Sequence, residues 1–161
     1  MGLRPAYPDP QERRGPAVTP AGIEAFTRRY YRLFNDRRFD EAEALVDPQA
    51  VFTYPVAKEH FIGRAGYREL VVRWTEAFPD AHLSITRVQV SGDTARTEWI
   101  GEGTHQGLLE LPGLARIRAT GVRAQLPMRE TIRVVNRLVV RSLMEFDPRE
   151  LRRRLGLERP A

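Results

Sequence analysis

The spacing of apolar residues changes period once along this chain, close to Pro79-Asp80, and that change constrains the fold more than any other feature. Ahead of it, Ile23, Phe26, Tyr30, Leu33 and Phe34 recur at helical spacing behind Thr19-Pro20, a start signal in which threonine caps and proline takes the first helical position. Asp40 opens a second short helix carrying Ala42, Leu45 and Val46, which Asp47-Pro48 ends because the residue before proline avoids the α region. Residues 50–54 read as a short strand, Val56 to Phe61 as a loop, and Gly63 to Phe78 as a third helix with Tyr67, Leu70, Val71 and Trp74 on one face. Beyond Asp80 apolar and polar residues alternate, as a strand with one buried face requires. The strands run from Leu83 to Val90, from Thr94 to Thr104 after a Gly92-Asp93 turn, from Val122 to Val135, and from Leu138 to Phe146. Asp147-Pro148 then starts a short arginine-rich helix that ends at Gly156.

This order predicts an α+β fold: a cone-shaped, curved antiparallel sheet wrapped by three N-terminal helices, with a short C-terminal helix, in effect an α+β barrel. The apolar inside of such a cone is a small-ligand cavity. A chain of 161 residues, 42% hydrophobic, is expected to form one domain, here over residues 21–156. Residues 1–20, with five of the twelve prolines, read as a flexible arm, and residues 157–161 as a tail.

Charge and composition remove several function classes. The net charge is +5, but residues 149–161 carry +3 and residues 1–20 carry +1, which leaves the middle of the chain near neutral. A nucleic-acid binder concentrates positive charge on a folded face, so no nucleic-acid partner is expected. No apolar run approaches the ~18 residues of a membrane helix, and no secretory h-region opens the chain, so no membrane partner and a cytoplasmic location are expected. The absence of cysteine excludes disulfides and thiol chemistry. With no Asp or Glu at ligand spacing around the three histidines, neither a metal site nor a cofactor is expected.

Three strings then narrow the reading: Ala77-Phe78-Pro79-Asp80, Gly103-Thr104-His105-Gln106-Gly107, and Asp147 followed by Leu151 and Leu155-Gly156. In this order they resemble the nuclear-transport-factor-two-like superfold and, within it, the SnoaL-like polyketide cyclases, over residues 21–156. The resemblance implies the same cone, a homodimer or homotetramer assembled through the sheets, and cofactor-independent intramolecular aldol closure of a small apolar carbonyl compound. It assigns general acid/base work to Asp147 and a polar cavity contact to His105. Leu143 and Ser142 stand where such cyclases often carry tryptophan and histidine, and Tyr54 where a histidine is common.

Each candidate also has a plainer reading. Asp147 before Pro148 is a helix N-cap. His105 shares strand parity with Trp99 and either faces the cavity, to hold a developing oxyanion, or is a loop histidine bonded to backbone near Gly107. Glu130 sits among Leu126, Met128, Ile132 and Val134, an apolar face on which a carboxylate must be paired or used: with Asp147 as a two-carboxylate catalytic site, or with an arginine in a salt bridge. Tyr30, with Asn35 beyond it, matches the oxyanion-donor pattern of the related ketosteroid isomerases, although Tyr54 stands where their base would be; a core tyrosine is the alternative. Trp74, Phe78, Trp99, Met128, Tyr54 and Leu143 would wall the substrate. His60 and His82 read as exposed loop residues. Three activities stay open: the cyclase, an epoxide hydrolase or cyclase using Asp147 and Glu130, and a non-catalytic small-ligand-binding module.

Overall fold

The computed structural model describes residues 19–54, 60–111 and 113–157, so residues 1–18 of the expected arm and 158–161 of the tail lie outside it. Helix α1 (Pro20–Asn35) starts as its sequence requires: Thr19 Oγ1 accepts the Gly22 N–H at 3.1 Å, and Ile23, Thr27, Tyr30, Tyr31 and Leu33 are buried. Helix α2 (Phe39–Glu43) follows, then strand β1 (Val46–Thr53). The second helix therefore stops earlier than expected, and Pro48 lies inside a strand. The strand tolerates it because its pairing with the last strand breaks register between Val46 and Val51, so no neighbour needs the missing N–H.

The expected loop before the third helix contains strand β2 (His60–Ile62), paired antiparallel with β1; three residues are too few for a period to register. Helix α3 (Gly63–Ala77) turns off β2 at Gly63, whose φ is +66°. Strands β3 (His82–Ser91) and β4 (Thr94–Thr104) form the hairpin through Gly92, and β5 (Arg123–Val135) joins β6 (Leu138–Glu145) through Asn136 and Arg137, both at positive φ as a tight hairpin turn demands. Helix α4 (Pro148–Arg154) closes the described chain.

The sheet runs β2-β1-β6-β5-β4-β3 and is curved and unclosed. All neighbours are antiparallel except β1 and β6, which are parallel. Register shifts in β3 after Ile85 and in β5 after Arg133 add the bends that curl it. Helix α1 packs across β3 and β4, and α3 across β1 and β2, so both cover the same concave face. On that face Trp99 lies opposite Met128, and Thr97 opposite Glu130. Asn35 ties the layers: its side chain donates to Leu83 O at 2.9 Å and accepts Leu83 N–H at 2.8 Å. That bond commits Asn35 to structure, against its sequence reading as part of an oxyanion pattern.

Two glycines separate backbone strain from crowding. Gly63 and Gly92 have similar positive φ, but a Cβ on Gly63 would fall 2.4 Å from Pro48 O, whereas one on Gly92 would meet nothing within 4 Å. Gly92→Ala is expected to cost roughly 1 kcal/mol from the left-handed conformation alone, and Gly63→Ala clearly more, about 2–4 kcal/mol once overlap is added. Urea unfolding of the two variants checks the order; equal losses would contradict it.

Candidate functional site

Between α1, α3 and the concave sheet face lies a cavity of about 120 Å³, far beyond the ~10–15 Å³ that one water needs. Helical spacing aims Tyr30 and Tyr31 into it from α1 and Tyr67, Leu70 and Trp74 from α3, while strand parity aims Trp99, Met128, Glu130 and Ser142 from the sheet. Gly101, Gly103 and Ala124 leave one wall without bulk. Leu151, 2% exposed on α4, closes part of the lining.

Glu130 is the buried acid of this cavity, only 4% exposed. The Tyr31 hydroxyl donates to its Oε2 at 2.8 Å and the Ser142 hydroxyl to its Oε1 at 2.6 Å. Burial pushes the Glu130 pKa up, and these two hydrogen bonds to the carboxylate pull it part of the way back. Among the described residues no arginine forms an ion pair with it, so the expected salt bridge is replaced by two neutral donors. Tyr30 and Tyr67 also line the cavity, and their hydroxyls make no hydrogen bond to another described residue. Burial drives both phenols above their ordinary pKa, so they stay protonated donors at neutral pH. The Tyr54 oxygen accepts the Trp74 indole N–H at 3.0 Å, which leaves the Tyr54 proton available. A carboxyl of raised basicity beside two phenols with no hydrogen-bond partner among the described residues can exchange a proton with carbon, and the phenols can hold the oxygen that becomes negative.

The sequence candidates divide. Tyr30, Tyr54, Trp74, Phe78, Trp99, Met128 and Glu130 all line the cavity. Asp147 does not: it is exposed, and its Oδ1 accepts the Arg149 N–H at 2.9 Å as the N-cap of α4. It borders a shallow groove on the outer sheet face with Arg129 and Glu145, so the apolar mouth expected around it, and its pairing with Glu130, are corrected. A strand ending in Asp-Pro is followed by a helix that needs a cap, and the cap takes the carboxylate. Leu143 is corrected too: its register partner is Thr131, on the outer face, and Ser142 and Met144 line the cavity instead.

His105 is fully buried but outside the cavity lining. Its Nδ1 lies 3.1 Å from Thr120 Oγ1, its ring stacks on Phe78 at 5.1 Å, and burial lowers its pKa. The chain leaves β4 at Thr104, so the strand parity that would have aimed this ring inward no longer applies. Around it, Gln106 N–H donates to Ala77 O at 2.9 Å, and Asp80 accepts the Thr104 N–H at 2.7 Å and the Thr104 hydroxyl at 2.9 Å. Gly107 passes so close that a Cβ would sit 2.0 Å from Glu76 O. Two of the strings singled out in the sequence therefore form one clasp between the end of α3 and the end of β4. Of the other histidines, His60 is exposed on β2, and His82, also exposed, borders the cavity.

Sequence reasoning missed Tyr31, Tyr67 and Ser142 as polar groups of the site. Tyr31 adjoins Tyr30 and falls off the ideal stripe, and Ser142 shares strand parity with Met144, the one signal that could have found it.

The family model described as a SnoaL-like domain matches residues 27–142. No curated protein matches the chain by sequence. Among solved structures it is similar to AclR from Streptomyces galilaeus, with a TM-score of 0.72 and 23% identity over 88% of this chain and 100% of that one. It is similar to TsrD from Streptomyces laurentii, with a TM-score of 0.72 and 20% identity over 88% of this chain and 99% of that one. A SnoaL-like polyketide cyclase from Agrobacterium tumefaciens gives 0.67 and 19% over 83% and 98%. At these identities the likeness establishes the cone fold.

Because Asp147 serves a helix end, Asp147→Ala is expected to lower stability by about 1 kcal/mol and to leave ligand binding in the cavity unchanged. Thermal unfolding and a binding titration on the same variant check both parts.

Proposed function

The chain belongs to the family of SnoaL-like domains, and from that premise we propose that it is a cofactor-independent enzyme of the polyketide-cyclase type, with Glu130 as its proton-transfer group. The observation that carries this reading is the one buried carboxyl among the described residues of an apolar cavity, held by Tyr31 and Ser142 and accompanied there by the Tyr30 and Tyr67 phenols, which bond no described residue. The substrate class is a small apolar carbonyl compound that closes a ring on itself. Ionised Glu130 takes the proton from the carbon next to a carbonyl, and the electron pair moves onto that carbonyl oxygen. Tyr30 and Tyr67 donate to the oxygen as it becomes negative. The enolate carbon then bonds to a second carbonyl carbon of the same molecule, and protonated Glu130 returns its proton to the new alkoxide. The aromatic walls hold the flexible substrate folded, an entropic advantage of several kcal/mol.

Burial suits Glu130 to this task, since a raised pKa makes it a stronger base near neutral pH. Assembly as a homodimer or homotetramer through the sheet, and a cytoplasmic setting, belong to the same reading. No helix among the described residues is long and apolar enough to cross a membrane.

The half-reaction can be followed without the natural substrate, as exchange of the α-protons of 1-indanone in deuterated water by NMR. Wild-type protein is expected to accelerate exchange, and Glu130→Gln to lose roughly 10²- to 10⁴-fold of that acceleration while keeping its circular dichroism. Undiminished exchange in a folded Glu130→Gln variant would reject the assignment and leave a binding module.

The pH profile gives a second check. Exchange should rise as Glu130 ionises, with a midpoint above the ~4.3 of an ordinary glutamate. Stability runs the other way: an acid whose folded pKa is raised binds its proton more tightly in the native state, so stability falls as pH climbs from the ordinary value through the raised one. Urea unfolding across that range should show the decline in wild type and not in Glu130→Gln.

A further inference from the structure

The cavity wall holds nine aromatic side chains, from Tyr30 and Tyr31 on α1 to Trp99 on β4. Their rings tile against one another: Tyr31 to Tyr30 at 5.4 Å, Tyr30 to Tyr67 at 5.7 Å, Tyr67 to Phe52 at 6.0 Å, and Tyr31 to Trp99 at 6.1 Å between centroids. Among the described residues no arginine or lysine lines the cavity, and the one basic side chain that does, His82, is exposed at the border. Four of the tyrosines, Tyr30, Tyr31, Tyr54 and Tyr67, lie close enough to Glu130 to feel its charge. An ionised Glu130 is thus a buried negative charge with no positive counterpart among the described residues, surrounded by rings whose faces are themselves negative. A cation that enters meets attraction from both sources in a space with little water to screen it.

We propose that this cavity is a binding site for an organic cation, a quaternary alkyl- or arylammonium whose charged nitrogen sits among the tyrosine rings beside the Glu130 carboxylate. The lining selects the ligand class. An inorganic ion would need a shell of oxygen ligands, which apolar walls do not supply. A guanidinium or primary ammonium needs several acceptors, yet both Glu130 oxygens already accept hydroxyl bonds. A quaternary ammonium has no N–H to satisfy, carries its charge inside an apolar coat and binds through the field alone. The inference goes beyond the cyclase reading: it needs the rings and the carboxylate, and no turnover.

The test compares phenyltrimethylammonium with tert-butylbenzene, the same shape with carbon in place of the charged nitrogen. Binding is read from the fluorescence of Trp74 and Trp99, the two tryptophans of the chain, both in the cavity wall. The wild-type protein is expected to bind the cation roughly tenfold or more tightly than the hydrocarbon, as attraction to desolvated rings and a carboxylate implies. Glu130→Gln should erase most of that preference while still binding tert-butylbenzene. Equal affinities, no saturable binding of the cation, or a preference that survives intact in Glu130→Gln would each overturn the proposal. Should Glu130→Gln lose the hydrocarbon as well, the wild-type pair decides alone. Wild-type protein that fails to accelerate proton exchange yet prefers the cation would sink the cyclase reading and leave this one standing.

Discussion

A carboxylate cannot sit in an apolar interior without compensation, and the way this chain compensates Glu130 organises the rest of the molecule. Desolvating such a group costs several kcal/mol, and the structure offsets part of that with two hydroxyl donors. One comes from α1 and the other from β6, while the acid itself stands on β5. The same two bonds therefore pin the first helix to the middle of the sheet and set the carboxyl's orientation within the cavity. Neutral donors leave its charge uncancelled, which a guanidinium would not have done.

The strings that carry the family resemblance do something different. Ala77 to Asp80 and Gly103 to Gly107 meet as a clasp that joins the end of α3 to the end of β4 through backbone bonds, the Asp80 carboxylate and the His105–Phe78 stack. They shape the rim, since Phe78 and Gly103 both line the cavity. Their chemistry is that of a joint: a close-packed glycine, a buried imidazole kept neutral, and an acid held low by hydrogen bonds from Thr104. Polar residues in a signature string are thus accounted for here by geometry, and the buried carboxyl of the cavity lies outside those strings.

Much of the fold was legible because periodicity is a local property. The helical stripe from Ile23 to Phe34 and the alternation in β3 to β6 follow from how side chains leave a helix or a strand. Parity alone put Trp99, Met128 and Glu130 on inward-facing positions. The parallel pairing of β1 with β6 was not legible, since residues some ninety positions apart share no local signal. Strand β2 was lost because it is three residues long.

For the site, the amino-acid order determined which side chains turn inward and that one of them is an acid on an apolar face. It left open which acid would be buried. Asp147 and Glu130 are both carboxylates with apolar residues nearby in the sequence, and only the packed structure distinguishes them: the start of α4 claims Asp147 for the Arg149 backbone N–H, while α1 folds over β5 and seals Glu130 beneath two hydroxyls. Burial is a property of what lies across the space from a residue. That distance is set by the curvature of the sheet and the docking of the helices, and no window of neighbouring residues contains it.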